Sequence, residues 1–95
     1  MTATTIIFVV SPEDAKDVDA WFSSTRPDMN NLQRIAQEEI LAAGQNLALA
    51  ILRSVPRCAD RSAAIRKVRE ATATAVEGIV SEAGAYLNRS SIRNG

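Results

Sequence analysis

Residues 4–10 read Thr-Thr-Ile-Ile-Phe-Val-Val, β-branched or aromatic throughout, and predict a short strand over Thr4–Val10. A lone strand is not stable, so this one has to pair with a second copy of itself or with another chain. Polar positions follow. Ser11-Pro12-Glu13-Asp14 offers a capping hydroxyl, a proline suited to the first helical position and acids for the first turn, which predicts a helix to about Ser23. Val18, Trp21 and Phe22 share one side of that helix and read as a docking face. A connector over Ser23–Asp28 carries Pro27.

A long helix is predicted next, from Met29 to Arg53. Leu32, Ala36, Ile40, Ala43, Leu47 and Ile51 recur at steps of three and four and mark one apolar stripe. Leu41, Ala48, Leu52 and Val55 mark a second, well round the cylinder. A helix apolar on two sides is buried on two sides, so one stripe is expected to pack within the subunit and the other against a neighbouring subunit. Gly44 sits among small residues and costs about 1 kcal/mol relative to Ala in a helix. It has two readings, close helix packing or the approach of a flat ligand to bare backbone.

Ser54–Ala59 is a short turn holding Pro56. Asp60 is expected to cap a last helix, which a single stripe (Ile65, Val68, Thr72, Val76, Ile79, Ala83, Tyr86) carries to about Leu87. Two helices of ~25 residues, each ~38 Å long, joined by so short a turn must lie antiparallel. The expected fold is therefore mainly α. It has a strand and a short helix in 1–28, a long antiparallel two-helix hairpin in 29–88 for ligand binding and oligomerisation, and a flexible tail in 89–95, all assembled as a homo-oligomer.

Composition sharpens this picture. A chain of 95 residues that is 46% hydrophobic and 23% charged is one domain and not disordered, yet short enough to favour a partner. No apolar run spans a bilayer, since Ile40–Leu52 is broken by Gly44, Gln45 and Asn46. No basic region precedes the apolar N-terminus, and the one cysteine, Cys58, has no partner within the chain. These features read as a cytoplasmic protein that does not engage a membrane.

The net charge of zero hides an asymmetry. Residues 1–52 sum to −4 and residues 53–95 to +4, and within 53–69 Arg53, Arg57, Arg61, Arg66, Lys67 and Arg69 face only Asp60. Nine of the eleven basic residues are arginine, whose planar fork suits phosphate and stacks on flat rings. A nucleic-acid interface would need a larger basic surface than this neutral chain with an acidic first half offers.

Catalytic chemistry is poorly provided for. There is no histidine and a single cysteine, which removes the usual general base and the usual zinc sites. There is no phosphate loop and no nucleophile elbow. Glu38 and Glu39 are adjacent and point apart, and Glu77 and Glu82 are out of phase. The chain is read as a non-enzyme with no cofactor and no metal. What remains is binding. Ser62, Arg66, Arg69 and Ala73 fall on one face of the last helix, beside its apolar stripe. A phosphate there would meet a hydroxyl, two guanidinium forks and the helix's first N–H groups. The same arginines could instead pair with Glu38 or Glu39 across the hairpin.

The stretches LQRIAQEEILAAGQNLALAIL (32–52) and PRCADRSAAIRKVREA (56–71) resemble the helical hairpin of phage anti-CBASS and anti-Thoeris sponge proteins. The resemblance covers 31–80, just over half the chain. It implies a phage protein made in the cytoplasm of an infected bacterium. Such a protein binds the cyclic di- or trinucleotides or cyclic ADP-ribose isomers that immune enzymes release, without cleaving them. It also implies a symmetric oligomer, often a hexamer, with pockets between subunits. On this chain the resemblance puts ligand-binding positions at Gly44, Arg66, Lys67 and Arg69; Ser62, from its place on the arginine face, and Asn46, just after the glycine, complete the expected set. The chain departs from the family pattern at Thr72–Val76, where a Met- or Trp-containing run with an Asn is common, and at Asn46 and Ala48, in place of a lysine and a threonine. The alternative that the residues leave open is a non-catalytic oligomerisation or adaptor module with a protein partner, recruited through the N-terminal strand and Trp21 and Phe22.

Overall fold

The computed structural model describes residues 7–23, 26 and 28–87. They fold as three α-helices, α1 (Pro12–Trp21), α2 (Asn31–Ser54) and α3 (Ala59–Ser81), followed by a short 3₁₀ helix, Ala83–Tyr86. None of the helices among the described residues is long and apolar enough to cross a membrane. The tail 89–95 lies outside the described residues.

The strand expected over Thr4–Val10 is not seen. Residues 4–6 lie outside the described residues, and residues 7–10 carry no strand. The N–H groups of Ile7 and Phe8 instead donate to the Arg53 carbonyl, at 3.2 and 2.9 Å. That carbonyl belongs to the last turn of α2, where the helix itself supplies no donor. β propensity yields here to an acceptor at hand.

Each helix starts for a local reason. Ser11 caps α1 by accepting from the Asp14 N–H at 3.1 Å, with Pro12 in the first turn. Asn30 and Gln33 form a reciprocal capping box at the start of α2, each side chain accepting from the other's N–H at 2.9 Å. This places the start of α2 two residues beyond the expected Met29. At α3 the expected cap is displaced: Cys58 is the N-cap and makes no side-chain bond, while Asp60 lies in the first turn, where its charge still favours the dipole. α3 also ends at Ser81 rather than near Leu87. Gly78 and Gly84 weaken helix propensity on either side of the break, and the chain tightens into the 3₁₀ turn. The Tyr86 carbonyl accepts from the Asn30 side chain at 3.0 Å, tying this turn to the start of α2.

One core runs between the helices in two patches. Val18 of α1 and Phe22, its C-cap, pack with Ala48, Leu52 and Ile65. Met29, Val76 and Ile79 form the second patch, with Ile40, Leu41 and Tyr86 against it. Moving forward along α2, its partners step backward along α3. Gln33 donates to the Ile79 carbonyl at 3.2 Å, Gly44 faces Thr72, and Leu52 shares a patch with Ile65. On α3 the expected stripe holds from Ile65 through Thr72 and Val76 to Ile79, all buried. On α2 the buried side is Gln33, Gln37, Gly44, Ala48 and Leu52. The Leu32–Ile51 stripe lies to one side of it, with Leu47 52% exposed.

Candidate functional site

α3 brings Ser62, Arg66 and Arg69 round to one side because they are spaced four and three apart. α1 is held against that side by its hydrophobic anchors Val18 and Phe22 and by a half-buried ion pair at its start, Arg61 to Asp14 at 2.9 Å. The last residue of α1, Trp21, is thereby set against α3. The Arg69 guanidinium carbon lies 4.7 Å from the centre of the Trp21 ring, a cation–π contact between a flat cation and a flat ring.

The Trp21–Arg69 pair divides two clefts. One, of about 340 Å³, is lined by Ser62, Arg66 and Arg69 together with Asp14, Trp21, Arg57 and Arg61. The other, of about 560 Å³, is lined by Arg26, Arg66, Arg69, Glu70 and Glu77 over a floor that includes Leu41, Thr72 and Val76, again with Trp21. Trp21, Arg66 and Arg69 line both.

The five arginines of these clefts are not equivalent. Arg26 binds Glu77 at 3.1 Å and approaches Asp28 at 3.9 Å. Arg61 and Arg57 share Asp14, at 2.9 and 3.6 Å. Among the described residues, Arg66 and Arg69 have no carboxylate within ion-pair distance. The expected alternative, pairing of these two with Glu38 or Glu39, does not form. Both are exposed, so their charge is free for an incoming anion at small desolvation cost.

The other expected site residues lie elsewhere. Lys67 follows Arg66 by one residue and so points ~100° away around the helix. It lines a separate, mainly apolar groove of about 430 Å³ with Ile40, Ala43, Gly44, Leu47, Val68, Ala71 and Thr72. Gly44 itself is taken up by packing. A Cβ there would lie 2.5 Å from Thr72 Cγ2 and 2.9 Å from Phe22 Cε1, so its missing side chain is what lets α1 and α3 close on α2. Asn46 is exposed and lines neither the clefts nor the groove. Within one chain, Ser62, Arg66 and Arg69 come together, and Gly44, Asn46 and Lys67 do not join them.

Sequence reasoning passed over Trp21, Arg26 and Glu70 as site residues. Trp21 carried a signal in its place on the α1 docking face, since a docked tryptophan at a helix end often keeps one edge free. Arg26 lies in the connector and Glu70 on a helix face already rich in charge, and neither has a signal of its own. Among the described residues no group of three His, Cys, Asp or Glu side chains could hold a metal ion.

No protein-family model, curated protein or solved structure matches this chain.

Proposed function

We propose that this protein binds and sequesters a cyclic nucleotide immune signal without cleaving it. In this reading it is a phage anti-defence protein acting in the cytoplasm of an infected bacterium. It works as a homo-oligomer of helical hairpins, a hexamer if it follows the proteins it resembles. The observation that carries the proposal is the state of Arg66 and Arg69. They are the two arginines of the clefts without a carboxylate partner among the described residues; Arg69 lies over the Trp21 indole, and Arg66 lines both clefts with it. Phosphate takes charge-assisted bonds from guanidinium forks, and a base stacks on an aromatic ring or on a guanidinium plane. The two needs of a nucleotide are met side by side. Gly44 and Lys67, in the separate groove, would reach such a ligand only from a second subunit.

The test is calorimetric titration of the full chain with cyclic di- and trinucleotides and cyclic ADP-ribose isomers, followed by recovery of the ligand from denatured protein. Tight binding with intact ligand is expected. Arg66→Ala removes one charge-assisted contact worth about 1.5–3 kcal/mol, so the expected loss is about tenfold to a hundredfold with helix content unchanged. No binding to any ligand sinks the proposal. The groove around Leu47 would then favour the second reading, a non-catalytic oligomerisation or adaptor module binding a protein partner, because an uncovered apolar groove is itself a docking feature.

A further inference from the structure

We propose that the larger cleft selects guanine, with Glu70 as the residue that reads the base. The inference rests on the cyclic nucleotide reading above and adds the identity of a base to it.

The clue is the state of the two carboxylates in that cleft. Glu77 is bonded to Arg26 at 3.1 Å. Glu70 has no cation within ion-pair distance among the described residues, although it follows Arg69 directly and lies one helical turn from Arg66. The cleft thus presents two unpaired guanidinium groups and one unpaired carboxylate around the Trp21 ring. A ligand that satisfies all of them carries an anion, a flat ring and an edge of N–H donors.

Among nucleotides only guanine provides that edge in full. An ionised carboxylate only accepts hydrogen bonds, through two oxygens side by side. Guanine sets N1–H and the N2 amine next to each other, one donor for each oxygen. Adenine and cytosine place an amine beside a bare ring nitrogen, which would turn a lone pair toward the carboxylate. Uracil offers a single N–H between two carbonyls. A phosphodiester held by Arg66 and the edge of Arg69, a purine stacked on the Arg69 guanidinium plane that lies over Trp21 and a donor edge turned to Glu70 use the unpaired charged groups of the cleft.

The experiment is titration of the full chain with cyclic di-GMP and cyclic di-AMP, for the unaltered protein, Glu70→Gln and Arg66→Ala. Glu70 is exposed on a helix, so the substitution leaves the fold intact, and circular dichroism confirms this. The unaltered protein is expected to prefer cyclic di-GMP by about tenfold or more, the discrimination of one bidentate pair. Glu70→Gln should abolish the preference for cyclic di-GMP and raise affinity for cyclic di-AMP, because an amide's acceptor and donor match adenine's amine and bare ring nitrogen. Arg66→Ala should weaken both ligands together. Equal affinities in the unaltered protein, or a preference that survives Glu70→Gln, overturns the role of Glu70 and leaves the cyclic nucleotide reading standing. Binding of neither ligand overturns the guanine assignment outright, and the wider ligand panel then decides the reading beneath it.

Discussion

The α2–α3 pair has one side that its own chain covers and one groove that it leaves bare. On the covered side α1 presses Val18 and Phe22 against Ala48, Leu52 and Ile65. Polar ties hold it there, Arg61 to Asp14 at 2.9 Å and Gln45 to Asp19 at 2.7 Å. Around it lie the arginine-lined clefts. The bare groove runs through Ile40, Ala43, Leu47, Val68 and Ala71, and none of its lining residues comes from α1. A ten-residue helix can cover only one side of a helix pair whose longer member has 24 residues. The difference is one of cover: the covered side closes the core and positions the charged clefts, while the bare groove leaves apolar surface exposed, the kind of surface that association would bury.

The largest expected effect comes from uncovering the closed side. Phe22 is 5% exposed and fills the space beside Gly44 and Thr72. Phe22→Ala should cost about 3–5 kcal/mol, a large share of the stability of so small a domain. A denaturant titration followed by circular dichroism measures it, and the fluorescence of Trp21, the only tryptophan, reports whether α1 leaves first. A loss below about 1 kcal/mol would mean that α1 does not hold this side closed.

A smaller effect, of opposite sign at two positions, sharpens the contrast. At Gly44 a methyl group would lie 2.5 Å from Thr72 Cγ2. Thr72 gives way poorly, being β-branched and held by its hydroxyl, which donates to the Arg69 carbonyl at 2.9 Å. Overpacking of about 1–3 kcal/mol should therefore outweigh the helix gain of about 1 kcal/mol, and Gly44→Ala should melt several degrees lower. At Gly78 a Cβ meets nothing within 4 Å, so Gly78→Ala should stabilise by about 0.5–1 kcal/mol. Melting both variants at one protein concentration tests the pair. A stabilised Gly44→Ala would show that the α1–α2–α3 junction is looser than its distances.

These positions also show what the sequence could and could not reveal. Helix starts were legible where capping chemistry is local, as at Ser11 and Pro12. The Asn30–Gln33 box has an equally local signal, and the α2 start was placed two residues early for want of it. The α3 stripe was legible because three of its four buried residues, Ile65, Val76 and Ile79, are apolar, and the fourth, Thr72, keeps their spacing. The α2 core side was not, because Gln33 and Gln37 occupy it and a hydrophobic pattern cannot register a buried amide, whether it bonds across the core as Gln33 does to the Ile79 carbonyl or leaves its Oε1 without a partner among the described residues as Gln37 does. The Ser62, Arg66 and Arg69 face was legible from spacing alone. Trp21 as its companion was not, because that contact depends on where α1 docks, and sequence periodicity says nothing about the angle between two helices. The segment after Ile6 misled for a related reason: its β-branched residues favour a strand, but a strand needs a partner, and here the Ile7 and Phe8 N–H groups go to the Arg53 carbonyl instead.

The bare groove offers the smallest change to the single chain and the clearest change to its company. Leu47 is 52% exposed, so Leu47→Asp forfeits only part of a leucine's transfer energy. Together with the weaker helix propensity of Asp, this costs a lone chain about 1 kcal/mol. Under a second copy the same carboxylate would be stripped of water without a partner, a far larger penalty. Light scattering should find the unaltered protein at a multiple of 10.2 kDa and Leu47→Asp at the mass of one chain, with the helix signal of both alike. An assembly that survives Leu47→Asp would have to run through other apolar surface. The described residues offer such surface at Ile35, 62% exposed, at Leu87, 60% exposed, and above all in the segment before α1, where Ile7 is 62% and Val9 91% exposed; that segment carries the most exposed residue of the set. Contact through it would leave the groove free for a partner of another kind, so the mass of this one variant decides between groove-mediated assembly and an adaptor surface.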